Sequence, residues 1–152
     1  MSLWNLFSTK KLKIQHSEKK LYPKIINTNL EVISTGYILI ENGKQTSVEK
    51  VTGTKPISRL KVNEIVNTAV AGELLGMKLI YLEAGSGALQ PVTSEIINAV
   101  RNQIKIPLIV GGGIKNNSQL EMAYHAGADL VVVGTAFEED ESLIELFKKQ
   151  LA

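Results

Sequence analysis

No cysteine occurs among the 152 residues, so neither a disulfide nor a thiolate metal site can form. Histidine is scarce too. His16 and His125 are the only two, and neither sits at a metal-ligand spacing. His125 falls late in an expected helix with Gly127 after it, where a cationic side chain suits the helix dipole. Both histidines read as structural or exposed. No apolar run approaches the ~20 residues that cross a bilayer. No apolar signal-peptide core stands at the N-terminus, so a cytoplasmic location is expected. Excess charge of one sign is missing as well. Lysine and arginine total 17 against 15 acidic residues, and a net +2 is too small to imply a nucleic-acid partner. Lys10, Lys11, Lys13, Lys19, Lys20 and Lys24 cluster early. Stacking aromatics are not interleaved with them, so they read as a solvated face.

What the chain does have is hydrophobic residues, at 44%, and glycine-ended apolar runs. The length fits one domain over 1–152. Three runs share a pattern: Tyr81-Leu82-Glu83-Ala84-Gly85-Ser86-Gly87-Ala88, then Pro107 to Ile114 with Gly111-Gly112-Gly113, then Ala128 to Thr135 with Gly134. In each, a short apolar run stops at glycine and a helix-like segment follows. That is the pattern of consecutive βα units in a parallel sheet. Glycine lets the backbone turn sharply and lets a ligand approach the amides. Amides beside a helix N-terminus attract an anion, phosphate above all. Three such loops at one sheet edge point to one phosphorylated ligand.

The remaining elements follow from periodicity and punctuation. Short helical pieces are expected over Leu3–Leu12 and Ser17–Ile26, and strands over Leu30–Thr35 and Thr46–Val51. Asn42-Gly43 marks a turn. Val62, Ile65, Val66, Ala69, Val70 and Leu74 lie on one face of a helix that Gly76 stops. Lys78–Leu82, Leu108–Val110 and Leu130–Val133 read as strands, and Ser94–Gln103 as a helix capped by Thr93 or Ser94. Ser118-Gln119-Leu120-Glu121 has the capping-box pattern and starts another helix; Asp140–Leu151 closes the chain as an amphipathic one. About five parallel strands result. Phosphate loops after the last two favour part of a (β/α)8 TIM barrel over an open doubly wound sheet, yet a full barrel needs roughly 200–250 residues.

The strings YLEAGSGA, PLIVGGGIK and GADLVVVGTAFEE, with LEVISTGYILIENGK and TKPISR, resemble the geranylgeranylglyceryl phosphate synthase family. The resemblance covers roughly Asn29 to Ala152, and it implies that 1–28 stands apart as a divergent or truncated N-terminal segment. Ser58 departs from it, since a second proline is expected before Arg59. It implies a prenyltransferase that joins a polyprenyl diphosphate to sn-glycerol 1-phosphate, with magnesium held by an aspartate on the first barrel strand. No such aspartate is found: Asp129 and Asp140 are the only two, both late in the chain. Leu3–Ile14 resembles the family's opening helix and first-strand start, and Gln15-His16 a point just before the strand at Leu30. A block of roughly a quarter to a third of a barrel is therefore expected to be absent between Ile14 and Gln15.

Carried over by residue, the resemblance assigns glycerol 1-phosphate to Tyr81, Leu82, Glu83, Ala84, Gly85, Ser86, Gly87, Gly112, Gly113, Gly134 and Thr135. Gly112, Gly113 and Gly134 would offer unshielded amides, and Ser86 and Thr135 hydroxyl donors. Those glycines could also do no more than make tight turns. Glu83, a carboxylate among phosphate loops, suits a general base on a glycerol hydroxyl at the ligand's other end. Tyr81 lies two residues earlier, on the same strand face, within reach of that hydroxyl. Tyr37 would line the prenyl path. Lys115 reads as a solvated loop lysine. Two other readings stay open: a different phosphosugar-binding barrel enzyme, and a phosphate-binding half-barrel without catalysis. Uncovered strand edges and apolar sheet make a homo-oligomer the expected state.

Overall fold

A computed structural model of the chain describes residues 29, 31–43 and 55–134. Four strands and three helices alternate through them. They are β1 (Thr35–Leu39), α1 (Val62–Leu74), β2 (Leu79–Glu83), α2 (Ser94–Arg101), β3 (Leu108–Gly111), α3 (Asn117–His125) and β4 (Leu130–Val132). The strands are all parallel and lie in chain order, β1-β2-β3-β4, with β1 and β4 at the two edges. This is an α/β fold of the barrel type, and among the described residues it forms an arc and not a closed ring. Beyond the expected strands, Ile57 makes a single parallel bridge to Ile40. The segments 3–12, 17–26, 46–51 and 140–151, and with them the N-terminal division at 28, lie outside the described residues. Among the described residues no helix is long and apolar enough to cross a membrane.

The period-2 alternation of each strand divides the sheet into two unlike faces. Ile38, Ile40, Ile80, Leu82, Leu108 and Val110 turn toward the helices and are buried. Ile65, Ala69, Ile96, Ile97, Val100, Leu120 and Ala123 meet them from the helical layer in one continuous core. Tyr37, Tyr81, Ile109, Leu130 and Val132 turn the other way and stay partly or well exposed. In a closed barrel that second face is the interior.

The first strand corrects the expectation drawn from Leu30–Thr35: it begins at Thr35 and runs to Leu39. Val32 and Ile33 are exposed, whereas Ile38, Leu39 and Ile40 are buried. Gly36 does not end the strand but lies within it. A Cβ there would stand 2.7 Å from Ile80 Cδ1, so the missing side chain is what lets Ile80 fill the core. Helix α1 ends as its sequence implies. Gly76 takes φ +85°, its N–H donates to Glu73 O, and Met77 N–H donates to Gly72 O, which satisfies the last carbonyls. Helix α3 starts two residues earlier than the Ser118-x-x-Glu121 pattern suggests. Its cap is Asn116, whose side chain accepts from Gln119 N, while Gln119 Oε1 accepts from Lys115 N at 2.7 Å. Asn116 and Gln119 thus cap this end, Gln119 reaching the N–H one residue before the cap in place of the cap's own.

Leu82 is fully buried at the centre of this core, so Leu82→Ala should lower unfolding free energy by about 2–5 kcal/mol in urea titration. Leu60→Ala, at a residue 89% exposed, should change it by no more than about 0.5 kcal/mol.

Candidate functional site

Strand β2 ends in Tyr81-Leu82-Glu83, and the alternation sends Tyr81 and Glu83 to the same, open face. Leu82 points oppositely, into the helix-covered core, so only its backbone is available at this edge. Glu83 is 7% exposed although it sits at the C-terminal end of its strand. Its Oε1 accepts from Gly85 N–H at 2.6 Å, and the Tyr81 hydroxyl stands beside its carboxylate. A buried carboxylate needs such donors, because a charge taken from water without them is very costly.

The neighbouring strand makes room for that carboxylate. Gly111 pairs with Glu83 in register. A Cβ on Gly111 would collide with the Tyr81 hydroxyl, and would lie 3.0 Å from Glu83 Oε2. On Gly112 it would lie 2.5 Å from Glu83 Oε1 and 2.6 Å from Gly85 N. On Gly113 it would meet the Gln90 carbonyl at 2.8 Å and Pro91 N at 2.9 Å. Gly112 and Gly113 also take positive φ, +84° and +73°. Among the described residues nothing accepts a hydrogen bond from either of their N–H groups. Two adjacent left-handed glycines with free amides are the kind of concavity that holds an anion.

Gly85 and Gly87 shape the opposing loop, both at positive φ, with Ser86 exposed between them. Ala84 is fully buried. Gly134 lies two residues beyond Val132, the register partner of Gly111, and so at the same sheet edge. A Cβ on Gly134 would meet nothing within 4 Å, so crowding among the described residues does not demand glycine there. Thr135 lies outside the described residues. Tyr37 pairs with Tyr81 across β1 and β2, their rings meeting edge to face at 5.2 Å.

Two residues at this edge carried no functional signal in the sequence. Asn42 is buried, and its Nδ2 donates to Ala84 O. Arg59 donates from Nε to Glu41 O at 3.0 Å and from Nη1 to Gln90 Oε1 at 2.8 Å. Asn42-Gly43 does turn, with Gly43 at φ +83°, but the turn motif hid a buried side chain. Arg59 follows a proline-bearing loop, and only the three-dimensional fold brings it to Gln90.

Asp129 serves the far end of the sheet. Its Oδ2 accepts from Leu108 N at 2.7 Å and from Arg101 Nη1 at 3.0 Å. It is therefore no candidate metal ligand beside Glu83. Among the described residues no three His, Cys, Asp or Glu side chains gather to hold a metal ion, so they do not fit the magnesium that the resemblance implies. His125 is exposed in the last turn of α3, and Lys115 is exposed.

Partial burial, and then the nearby Glu83 charge, push the Tyr37 phenol up to about 12. Burial first, then the hydrogen bond to Glu83 and its charge, push Tyr81 higher still. Both hydroxyls therefore stay protonated donors at neutral pH. A raised phenol favours the folded state while protonated. Its contribution is complete below the ordinary value of 10.0 and disappears as pH rises through about 12. Removing the charge by Glu83→Gln should move the phenolate absorbance titration of these tyrosines, and the onset of alkaline destabilisation, to lower pH. An unmoved titration would mean that burial alone sets both values.

The PcrB family matches residues 2–151. A geranylgeranylglyceryl phosphate synthase of Zunongwangia profunda is 56% identical over 122 residues, which cover 80% of this chain and 52% of that protein. One of Flavobacterium johnsoniae is 54% identical over 123 residues, covering 81% and 51%. The chain spans about half the length of the curated relatives it matches. Among solved structures, a wild-type GGGPS from Thermoplasma volcanium superposes with a TM-score of 0.72 at 33% identity, covering 78% of this chain and 47% of the other. The Thermoplasma acidophilum enzyme in complex with its substrate sn-glycerol-1-phosphate gives 0.72 at 29% identity, with the same coverage. With a match that runs through all four strands, the chain belongs to the PcrB family.

Proposed function

We propose that this chain binds sn-glycerol 1-phosphate at the C-terminal edge of its sheet and carries the acceptor half of a geranylgeranylglyceryl phosphate synthase site. The observation that carries the reading is the Glu83 carboxylate seated against Gly111 and Gly112, beside two glycine amides that have no acceptor among the described residues. The T. acidophilum relative, which was solved with that substrate, supports it. Phosphate would lie against the Gly112 and Gly113 amides and the Gly85–Gly87 loop, with Ser86, Gly134 and Thr135 completing the cradle. The glycerol end would then extend toward Tyr81 and Glu83.

The reaction in a full-length barrel is alkyl transfer. A glycerol hydroxyl oxygen bonds to the allylic carbon of the polyprenyl diphosphate. The carbon–oxygen bond to diphosphate breaks, diphosphate departs, and Glu83 takes the hydroxyl proton. Tyr81 holds the carboxylate in place and offers its oxygen to the glycerol. Tyr37, on the neighbouring strand, borders the path of the prenyl chain. These residues orient the acceptor and exclude water, which would otherwise capture an allylic cation. A second reading is phosphate binding without catalysis. The absence of an acidic cluster among the described residues favours it, and a prenyl-transfer assay separates the two. The face bearing Tyr37, Leu130 and Val132 is open among the described residues and suits self-association; a cytoplasmic location goes with the same reading.

Calorimetric titration with sn-glycerol 1-phosphate should show binding by the parent and at least a tenfold loss in Gly112→Val; equal binding by the two would remove the amide site. In a full-length barrel, Glu83→Gln should lower turnover by ~10²–10⁴-fold and leave acceptor binding nearly intact. Sedimentation at micromolar concentration should show a dimer or larger, and a well-folded monomer would refute the oligomer.

A further inference from the structure

We propose that Arg59 is a positioning residue for the phosphate loops, acting through Gln90. The inference rests on the phosphate-site reading and extends it to a side chain outside the cradle. The loop from Gly85 to Pro91 is the wall that faces Gly112 and Gly113. At its start, Gly85 N–H is tied to Glu83 and Ala84 O to Asn42. At its other end, the Gln90 carbonyl and Pro91 N lie so near Gly113 that a Cβ there would stand 2.8–2.9 Å away. The height of Gln90 therefore fixes the gap between the two phosphate walls.

Arg59 holds Gln90 from outside. Its guanidinium spans two fixed points, the Glu41 carbonyl just past β1 and Gln90 Oε1 on the loop. Ile57 supplies the footing. Its N–H donates to Leu39 O, and its own carbonyl accepts from Glu41 N. Arg59 is thus anchored to β1 by backbone two residues earlier and by its own side chain. A planar guanidinium can hold two such acceptors at a set separation, and an ammonium cannot. Nη2 is buried without a hydrogen-bond partner among the described residues.

The test uses the full chain and four variants: Arg59→Ala, Arg59→Lys, Gln90→Ala and the Arg59→Ala/Gln90→Ala double. Two quantities are read, affinity for sn-glycerol 1-phosphate by calorimetry and amide hydrogen exchange without ligand. Arg59→Ala and Gln90→Ala should each weaken binding about threefold to tenfold, the size of one typical lost hydrogen bond. The double variant should be no weaker than the weaker single, because both remove the same bond. Arg59→Lys should fall between parent and alanine. The amides of Gly85 to Ala88 and of Gly112 and Gly113 should exchange faster, while those of Ile80 and Val110 in the strands hold. Full additivity in the double overturns the proposal, as does unchanged affinity in Arg59→Ala with a binding parent. Exchange that quickens equally through strands and loops also overturns it, since that marks general destabilisation. If the parent itself fails to bind, the phosphate reading fails, and exchange still decides: a selectively loosened loop upholds the Arg59 link, and an unchanged one removes it. Gln90→Ala, a change at an exposed side chain, keeps the test open should Arg59→Ala not fold.

Discussion

The carboxylate of Glu83 occupies space that side chains on the neighbouring strand would otherwise fill. Gly111 and Gly112 vacate it, and the whole C-terminal edge is arranged around that vacancy. With the carboxylate in place, Gly85 N–H has its acceptor and the following loop is turned back toward β3. With the loop turned back, Gln90 and Pro91 close on Gly113, which must also lack a side chain. Three successive glycines are thus three different requirements. The first clears room for Tyr81, the second for Glu83, and the third for the backbone of the opposing loop.

Polarity at this edge follows from the same crowding. Glu83 is nearly enclosed, so each donor around it counts for more than it would in water. Gly85 N–H supplies one, and burial, then the negative charge beside them, raises the phenols of Tyr81 and Tyr37. A hydroxyl donor and a carboxylate acceptor therefore stand side by side on a sheet face. A few ångströms of chain away, the amides of Gly112 and Gly113 present the opposite polarity. A ligand with an anionic end and a hydroxyl end matches that gradient.

Local features were legible in the sequence, and contacts between distant segments were not. Val62 to Leu74 announced a helix by its apolar stripe, and Gly76 announced its end. Tyr81 and Glu83 declared a shared face by standing two apart. The first strand was misplaced because Val32 and Ile33 look as apolar as Ile38 and Ile40, and the choice between them is made by Ile80, more than forty residues away, reaching over Gly36. The α3 cap was misplaced because Ser118-x-x-Glu121 and Asn116-x-x-Gln119 both fit a capping pattern, and only the geometry chooses. Asn42 and Arg59 were missed for a related reason. Their partners, Ala84 and Gln90, are 42 and 31 positions off, and nothing in a turn motif points that far.

Strand order that repeats chain order has a consequence for how such a molecule can be divided. Every strand pair joins successive strands, and the helices meet in the same order, α1 against α2 and α2 against α3. Cohesion is passed from neighbour to neighbour along the arc, as it is in a stack of repeats. Removing units from one end takes away an edge partner but leaves the interior joints of the rest untouched. The arc can therefore be shortened or lengthened in whole βα steps, each step a self-contained increment of core. A chain matching about half of its relatives' length still assembles a continuous buried layer from Ile38 to Ala128 for that reason.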